Sequence, residues 1–389
     1  MAKGTTPAAR PLFNRDHEEF RSVVREFVAR EVTPRLPEWE EAGAVDRDLF
    51  RRAGELGLLG FDVEERHGGG GVRDFRYNLV VIEELCRAGA TAVSMNLSGF
   101  NDLVAPYFTS LGAEEQQARW LPDLCAGRTV SAIAMTEPGT GSDLKAIRTT
   151  AVRDGDHYVV NGAKTFISNG MLADVVITVV TTDPAAGSRG LTLLVLERGM
   201  PGFERGRKLD KLGLRAQDTA ELFFDGVHVP VANRLGEEGK AFGYLMGNLP
   251  QERLSVAAAS AAAMERTLEE TIAYTRERTA FGQPVADFQA TRFTLAELAT
   301  EVRIARVFLD DCARRLVAGD LSDTDAAMAK WWITELQQRV VQRCLQLHGG
   351  YGYMTEYAVA RDFLDARGST LYAGTTEIMK EIIGRSVAG

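Results

Sequence analysis

Two short polar turns in this chain have the residue types to hold a flat or phosphorylated ligand. An apolar stretch, Ser131-Ala132-Ile133-Ala134, ends in Met135-Thr136 and breaks at Glu137-Pro138-Gly139-Thr140-Gly141-Ser142. Small residues after a proline leave backbone amides unshielded, which suits a ring edge or a phosphate. A second stretch through Lys164-Thr165-Phe166-Ile167 stops at Ser168-Asn169-Gly170, a turn signal. The hydroxyls of Thr136 and Ser168 flank the two turns, so together they could clamp one planar edge. Either turn alone reads more simply as an ordinary β-turn; it is the pair that points to a ligand.

Such turns need elements to hold them. Phe20, Val23, Val24, Phe27, Val28 and Val32 recur at three and four, which predicts an amphipathic helix over Phe13–Arg35, ended by Pro34 and Pro37. A loose polar tail is expected before it, over residues 1–11. Further helices are expected at Leu49–Leu56, Phe75–Cys86, Gly89–Phe100 and Asp102–Leu111, then one carrying Trp120 and Leu121. The glycine run His67–Gly71 lacks the Lys-Ser/Thr tail of a nucleotide loop and reads as a connector. Gly89–Phe100 is built of small residues, which permit either close helix packing or room for a hydrocarbon tail. From Ser131 to Val231 the period becomes two, as in Val175–Val180 and Leu191–Leu196, with turns at Asp154-Gly155, Asn161-Gly162 and Asp225-Gly226. Long helices follow at Leu249–Thr279, Phe288–Val317 and Asp323–Leu347, and a last one from near Thr375 to Gly384. Asn248 is the expected cap of the first, with Pro250 in its first turn. The expected fold is mainly α with a β middle domain. It comprises an N-terminal helical domain (1–130), a β-barrel or sandwich (131–235) and a C-terminal helical bundle (236–389).

The bulk properties exclude several classes. At 389 residues the chain exceeds what one hydrophobic core serves. A net charge of −9 argues against a nucleic-acid surface. The four cysteines, Cys86, Cys125, Cys312 and Cys344, lie far apart, so neither a disulfide framework nor a zinc site is expected. Five histidines without ligand spacing give a metal no support. No apolar run reaches the length of a membrane span, and the first residues read as neither signal nor transit peptide. The expected compartment is the cytoplasm.

MTEPGTGSDL followed by KTFISNG resembles the flavin-binding core of the acyl-CoA dehydrogenases. The likeness runs from the first helix to Gly384. It is closest to the long-chain type at Leu249–Leu254, Gln346–Tyr353 and Glu377–Gly384. The resemblance implies FAD and a place in fatty acid β-oxidation. A carboxylate takes the α-proton of an acyl-CoA while the β-hydrogen passes as hydride to flavin N5, leaving the trans-2-enoyl thioester. Many members carry the base in a Tyr-Glu-Gly-Thr loop. Here that loop reads Tyr372-Ala373-Gly374-Thr375, and Ala373 vacates the position. Members with a small residue there place the glutamate at the start of the long C-terminal helix, which designates Glu252 in Leu249-Pro250-Gln251-Glu252-Arg253-Leu254. A helix start should lower the pKa of that carboxyl, and a bound acyl chain should raise it.

The same resemblance assigns flavin contacts to Met135, Thr136, Gly141, Ser142, Phe166, Ile167 and Ser168. Arg278 and Phe281, in R-x-x-F-G, and Gln289 would meet the pyrophosphate of a neighbouring subunit. Gln346, Gly349 and Gly350 would meet the adenine end, and Thr375 and Glu377 make the last contacts. The Ala373 backbone N–H would polarise the thioester carbonyl. Ser142, Arg253 and Gly374 would touch substrate, although Arg253 reads equally as a surface ion pair. Contacts that cross subunits imply a homotetramer, and electron-transferring flavoprotein is the implied acceptor. Three alternatives stand: an acyl carrier protein in place of CoA, an oxidase using oxygen, and a flavin fold that binds nucleic acid without dehydrogenation.

Overall fold

The computed structural model describes residues 10–389, so most of the expected polar tail lies outside them. Helix α1 (Arg15–Phe27) opens on Asn14, whose side chain accepts from the His17 N–H at 3.1 Å. It continues as a π-helical turn, Val28–Val32, and stops there rather than at Arg35. Pro37 ends nothing; it sits in the first turn of α2 (Leu36–Ala42), where its missing N–H costs no hydrogen bond. Then come α3 (Arg47–Glu55), α4 (Phe75–Arg87) and α5 (Thr91–Ser98). A π-helical segment, Gly99–Val104, joins α5 to α6 (Ala105–Leu111), and α7 (Glu114–Cys125) follows.

The stretch with period two forms β1 (Ser131–Ala134), β2 (Thr150–Asp154), β3 (His157–Ser168), β4 (Val175–Thr181), β5 (Leu191–Glu197), β6 (Phe203–Lys208), β7 (Thr219–Pro230) and β8 (Arg234–Leu235). They hydrogen-bond in the order β6-β7-β3-β2-β4-β5-β8, with β1 beside β4. The two halves of this sheet meet at one pair, Thr150 with Thr181. Across that join, Tyr158, Val160, Leu222 and Phe224 share a core with Val176 and Leu194. Strand β4 is buried along its whole length. Val176 and Val180 face the β core, while Ile177 and Val179 join the core of the N-terminal helices. A one-residue slip would exchange those faces, so the alternation fixes both register and docking.

The rest is helical: α8 (Ala241–Glu277), a hairpin of β9 (Thr279–Ala280) and β10 (Gln283–Pro284), α9 (Gln289–Ala318), α10 (Asp323–His348), α11 (Ala358–Ser369) and α12 (Thr376–Ala388). Helix α8 starts at Ala241, not Leu249. Asn248 is therefore no cap, and Pro250 lies inside the helix. An interior proline removes one backbone hydrogen bond and costs about 3 kcal/mol. Side-chain bonds from this turn to the Gly99–Val104 segment hold the helix across it. Helix α11 escapes the sequence pattern because its buried face carries Asp362, which pairs with buried Arg266 and so interrupts the apolar period. Among the described residues no helix is long and apolar enough to cross a membrane.

A buried ion cluster clasps the two helical regions. Glu83 of α4 accepts from Arg10 at 2.6 Å, Arg306 of α9 at 2.8 Å and Arg21 of α1 at 3.1 Å. Burial alone would raise its pKa; the three guanidinium groups, Arg306 foremost, reverse that and hold it at about 2. A carboxyl depressed on folding stabilises above its unfolded pKa and ceases to do so as pH falls through its folded value. Glu83→Gln is therefore expected to lose about 3 kcal/mol at neutral pH. The gap to wild type should close between pH 4.5 and about 2 in chemical denaturation curves. A gap that stays constant over that range would contradict the clasp.

Candidate active site

Hydrogen bonds outside the strand ladders bring the two polar turns side by side. The Thr165 N–H donates to the Thr136 carbonyl at 2.9 Å. Lys164 Nζ donates to the Met135 carbonyl and to Glu137 Oε1, each at 2.9 Å. Glu137 also accepts from the Arg148 and Thr149 amides at 2.7 and 2.9 Å. Burial works to raise this carboxyl, but Lys164 and the amide donors hold it below its ordinary value. One buried ion pair thus clamps both turns, and neither member was singled out in the sequence. The signal was present for Lys164: it follows Tyr158 and Val160 at inward positions of the same strand, where a charge demands a buried partner.

Beyond Lys164 the β3–β7 register slips before Ile167. Phe166 adopts φ +60° and turns its ring outward, 67% exposed, while Ile167 stays buried. Ser168 is exposed, as are Gly141 and Ser142 on the facing turn, with Met135 and Thr136 half-buried. The result is an uncovered aromatic ring between two hydroxyl-bearing turns.

Glu252 lies about three turns into α8, so the expected lowering by a helix start does not apply. The residue is 4% exposed. Oε1 accepts from Asn248 Nδ2 at 2.8 Å and from the Tyr107 hydroxyl at 3.4 Å. Burial pushes the pKa up to about 7 against Asn248, Tyr107 and Arg253, which favour the ionised form. Arg253 is buried and not a surface ion pair, and its Nε has no protein partner among the described residues. Burial pulls its pKa down, with Asp323 and Glu252 opposing.

The loop with the vacated base position is held by its backbone. Ala373 takes φ +54° and Gly374 φ +90°. A φ of +90° strains any residue with a Cβ, so the turn favours glycine at 374. Lys330, fully buried on α10, donates from Nζ to the Gly374 carbonyl at 2.6 Å. Burial brings this amine down to about 8, and Arg253 adds like-charge repulsion. Lys330 therefore ties α10 to the Ala373 loop, with the Arg253 charge near enough to repel it. Thr375 caps α12, its hydroxyl accepting from the Ile378 N–H at 3.4 Å, and Glu377 sits in that first turn.

The remaining candidates gather elsewhere. Arg278, Gln346, Gly349 and Gly350 line a pocket of about 520 Å³ with Tyr274 and His348. The Tyr274 ring stacks on His348 at 4.2 Å, and the Arg278 guanidinium lies over Tyr351 at 5.6 Å. A Cβ at Gly349 or Gly350 would meet nothing within 4 Å, so this side of the pocket is open backbone. Phe281 and Gln289 are not in its lining; Phe281 projects from the β9–β10 turn, 98% exposed. Among the described residues no hydrogen bond joins this pocket to the Met135–Ser168 turns.

Models of the acyl-CoA dehydrogenase N-terminal, middle and C-terminal domains match residues 14–128, 132–227 and 239–388. The mitochondrial long-chain specific acyl-CoA dehydrogenase of Sus scrofa is 47% identical over 387 residues, 99% of this chain and 89% of that protein. The crystal structure of an acyl-CoA dehydrogenase from Geobacillus kaustophilus superposes with a TM-score of 0.93 at 48% identity, covering 96% of this chain and 98% of that one. A glutaryl-CoA dehydrogenase from Mycobacterium smegmatis, in complex with FADH2, gives a TM-score of 0.90 at 28% identity over 97% and 96% of the two chains.

Proposed function

The chain belongs to the acyl-CoA dehydrogenase family, and from that premise we propose that it oxidises a long-chain acyl-CoA to the trans-2-enoyl thioester with Glu252 as the base. The observation that carries this reading is the Glu252 carboxyl. It is buried, its Oε1 is fixed by Asn248 and Tyr107, and no donor among the described residues reaches Oε2. An oriented carboxylate with one free oxygen can take a proton in a defined direction. The α-proton of a thioester is weakly acidic, so its loss needs the carbonyl oxygen polarised at the same moment. The Ala373 N–H is assigned that task. Lys330 holds the next carbonyl and keeps the peptide planes of the loop in place.

FAD fits the residues present. An exposed phenyl ring between hydroxyl-bearing turns suits a flavin edge, and an open glycine face beside a guanidinium and an aromatic stack suits its pyrophosphate and adenine. When bound, FAD supplies the acceptor for the β-hydrogen. We propose that Phe281 and Gln289 reach the cofactor of a second subunit, in keeping with a homotetramer. Electron-transferring flavoprotein as acceptor, a cytoplasmic location and domain boundaries at 130/131 and 235/236 belong to the same proposal.

The test is anaerobic titration of the purified yellow protein with a long straight-chain acyl-CoA. Rapid loss of the visible flavin absorbance is expected; a flavin that no acyl-CoA bleaches would overturn the reading. The bleaching rate should also rise with pH through about 7, because Glu252 acts only when ionised. Stopped-flow rates that stay level from about pH 5 to about pH 9 would count against Glu252.

A further inference from the structure

Asp102 is a second buried carboxyl beside the base. The π-helical turn Gly99–Val104 carries it, and such turns insert one extra residue and redirect side chains inward. Its contacts fall on successive turns of one α8 face. Its carbonyl accepts from Asn248 Nδ2 at 3.0 Å, the same amide that donates to Glu252 Oε1. Its carboxylate accepts from Gln251 Nε2 at 3.4 Å and from the Ser255 hydroxyl. Positions 248, 251, 252 and 255 lie along a single stripe of the helix. Asp102 therefore straps the stripe that presents Glu252, on both sides of Pro250.

We propose that Asp102 is a positioning residue that holds Glu252 in place and tunes it through its own charge. The inference rests on the dehydrogenase reading above. The groups that face Asp102 are Asn78 of α4, Asp62 from the loop after α3, and Gln251, Glu252 and Ser255 of α8. None is a cation; Arg73 acts on Asp62 and Arg253 on Glu252. Burial, with Glu252 and Asp62 adding to it, pushes Asp102 up to about 7 against the Ser255 hydrogen bond and the nearby Asn78 amide. Asp102 and Glu252 thus compete for charge over one pH range. Each ionisation makes the other harder, and the pair releases its protons in coupled steps. Removing the Asp102 charge while keeping its shape should let Glu252 ionise at lower pH.

Infrared difference titration of the holoenzyme reads buried carboxylic C=O stretches without turnover. The band lost in Glu252→Gln identifies Glu252. In Asp102→Asn its midpoint should fall by about half a pH unit or more, and the acid limb of the bleaching rate should move with it. Ser255→Ala removes a bond that favours ionised Asp102, so it should shift the band the same way by less. That variant decides the matter if Asp102→Asn does not load flavin. A Glu252 band that stays put in the variant measured overturns the inference, whatever the substrate experiment says. A wild-type flavin that acyl-CoA does not reduce overturns the dehydrogenase reading instead.

Discussion

Glu252→Gln is expected to keep its yellow flavin and to lose reduction by substrate at least ~10²–10⁴-fold. The amide keeps the shape, and Asn248 and Tyr107 can still donate to its oxygen. What would disappear is the acceptor proposed for the α-proton. No other carboxylate stands in for it: the loop that could offer one carries Ala373, and Asp102 is turned towards Gln251 and Ser255. Flavin content should be unchanged, because among the described residues Glu252 shares no hydrogen bond with the Met135–Ser168 turns or with the Arg278 pocket. Near-normal bleaching in this variant would remove the assignment.

Lys164→Met is expected to lower stability by about 3–5 kcal/mol, since it leaves a buried carboxylate without its counter-charge. Glu137 would keep two amide donors but lose the cation that joins it to the second turn. The Met135 carbonyl would lose a donor as well. Both turns relax together, so flavin should be released during purification and the melting temperature should fall. Glu137→Gln combined with Lys164→Met should recover part of the loss, because the unpaired charge is gone. Thermal melts and the ratio of flavin to protein absorbance measure both effects. A single mutant with normal melting and full flavin would show that the clamp is dispensable.

The two turns were legible because their signals are local: a period of two, then proline, glycine and small polar residues. The α8 start was not. Pro250 after Asn248 reads as a helix beginning, yet contacts with residues far away in sequence, Asp102 above all, carry the helix through it. That correction bears on the chemistry, because Glu252 owes its raised pKa to burial in a helix interior. Its candidacy came from the resemblance and from Ala373, and not from any local pattern. Lys330 and Asp102 carry no signal in the sequence for a shared reason. A polar residue on a helix shows its burial only when the neighbouring helices are in place. The resemblance gives Phe166 a flavin contact, but its left-handed backbone follows from a register slip that needs β7 to exist.

The α-proton transfer can be measured without hydride loss. A long-chain acyl thioester bearing sulfur in place of the β-carbon has no hydrogen to pass on, but its α-proton can still exchange. Holding it with the flavin-loaded protein in deuterium oxide and weighing the recovered thioester counts base events directly. Wild type is expected to place deuterium at the α-carbon, and Glu252→Gln to do so at least ~10²-fold more slowly. Equal exchange by the two proteins would contradict Glu252 as the base.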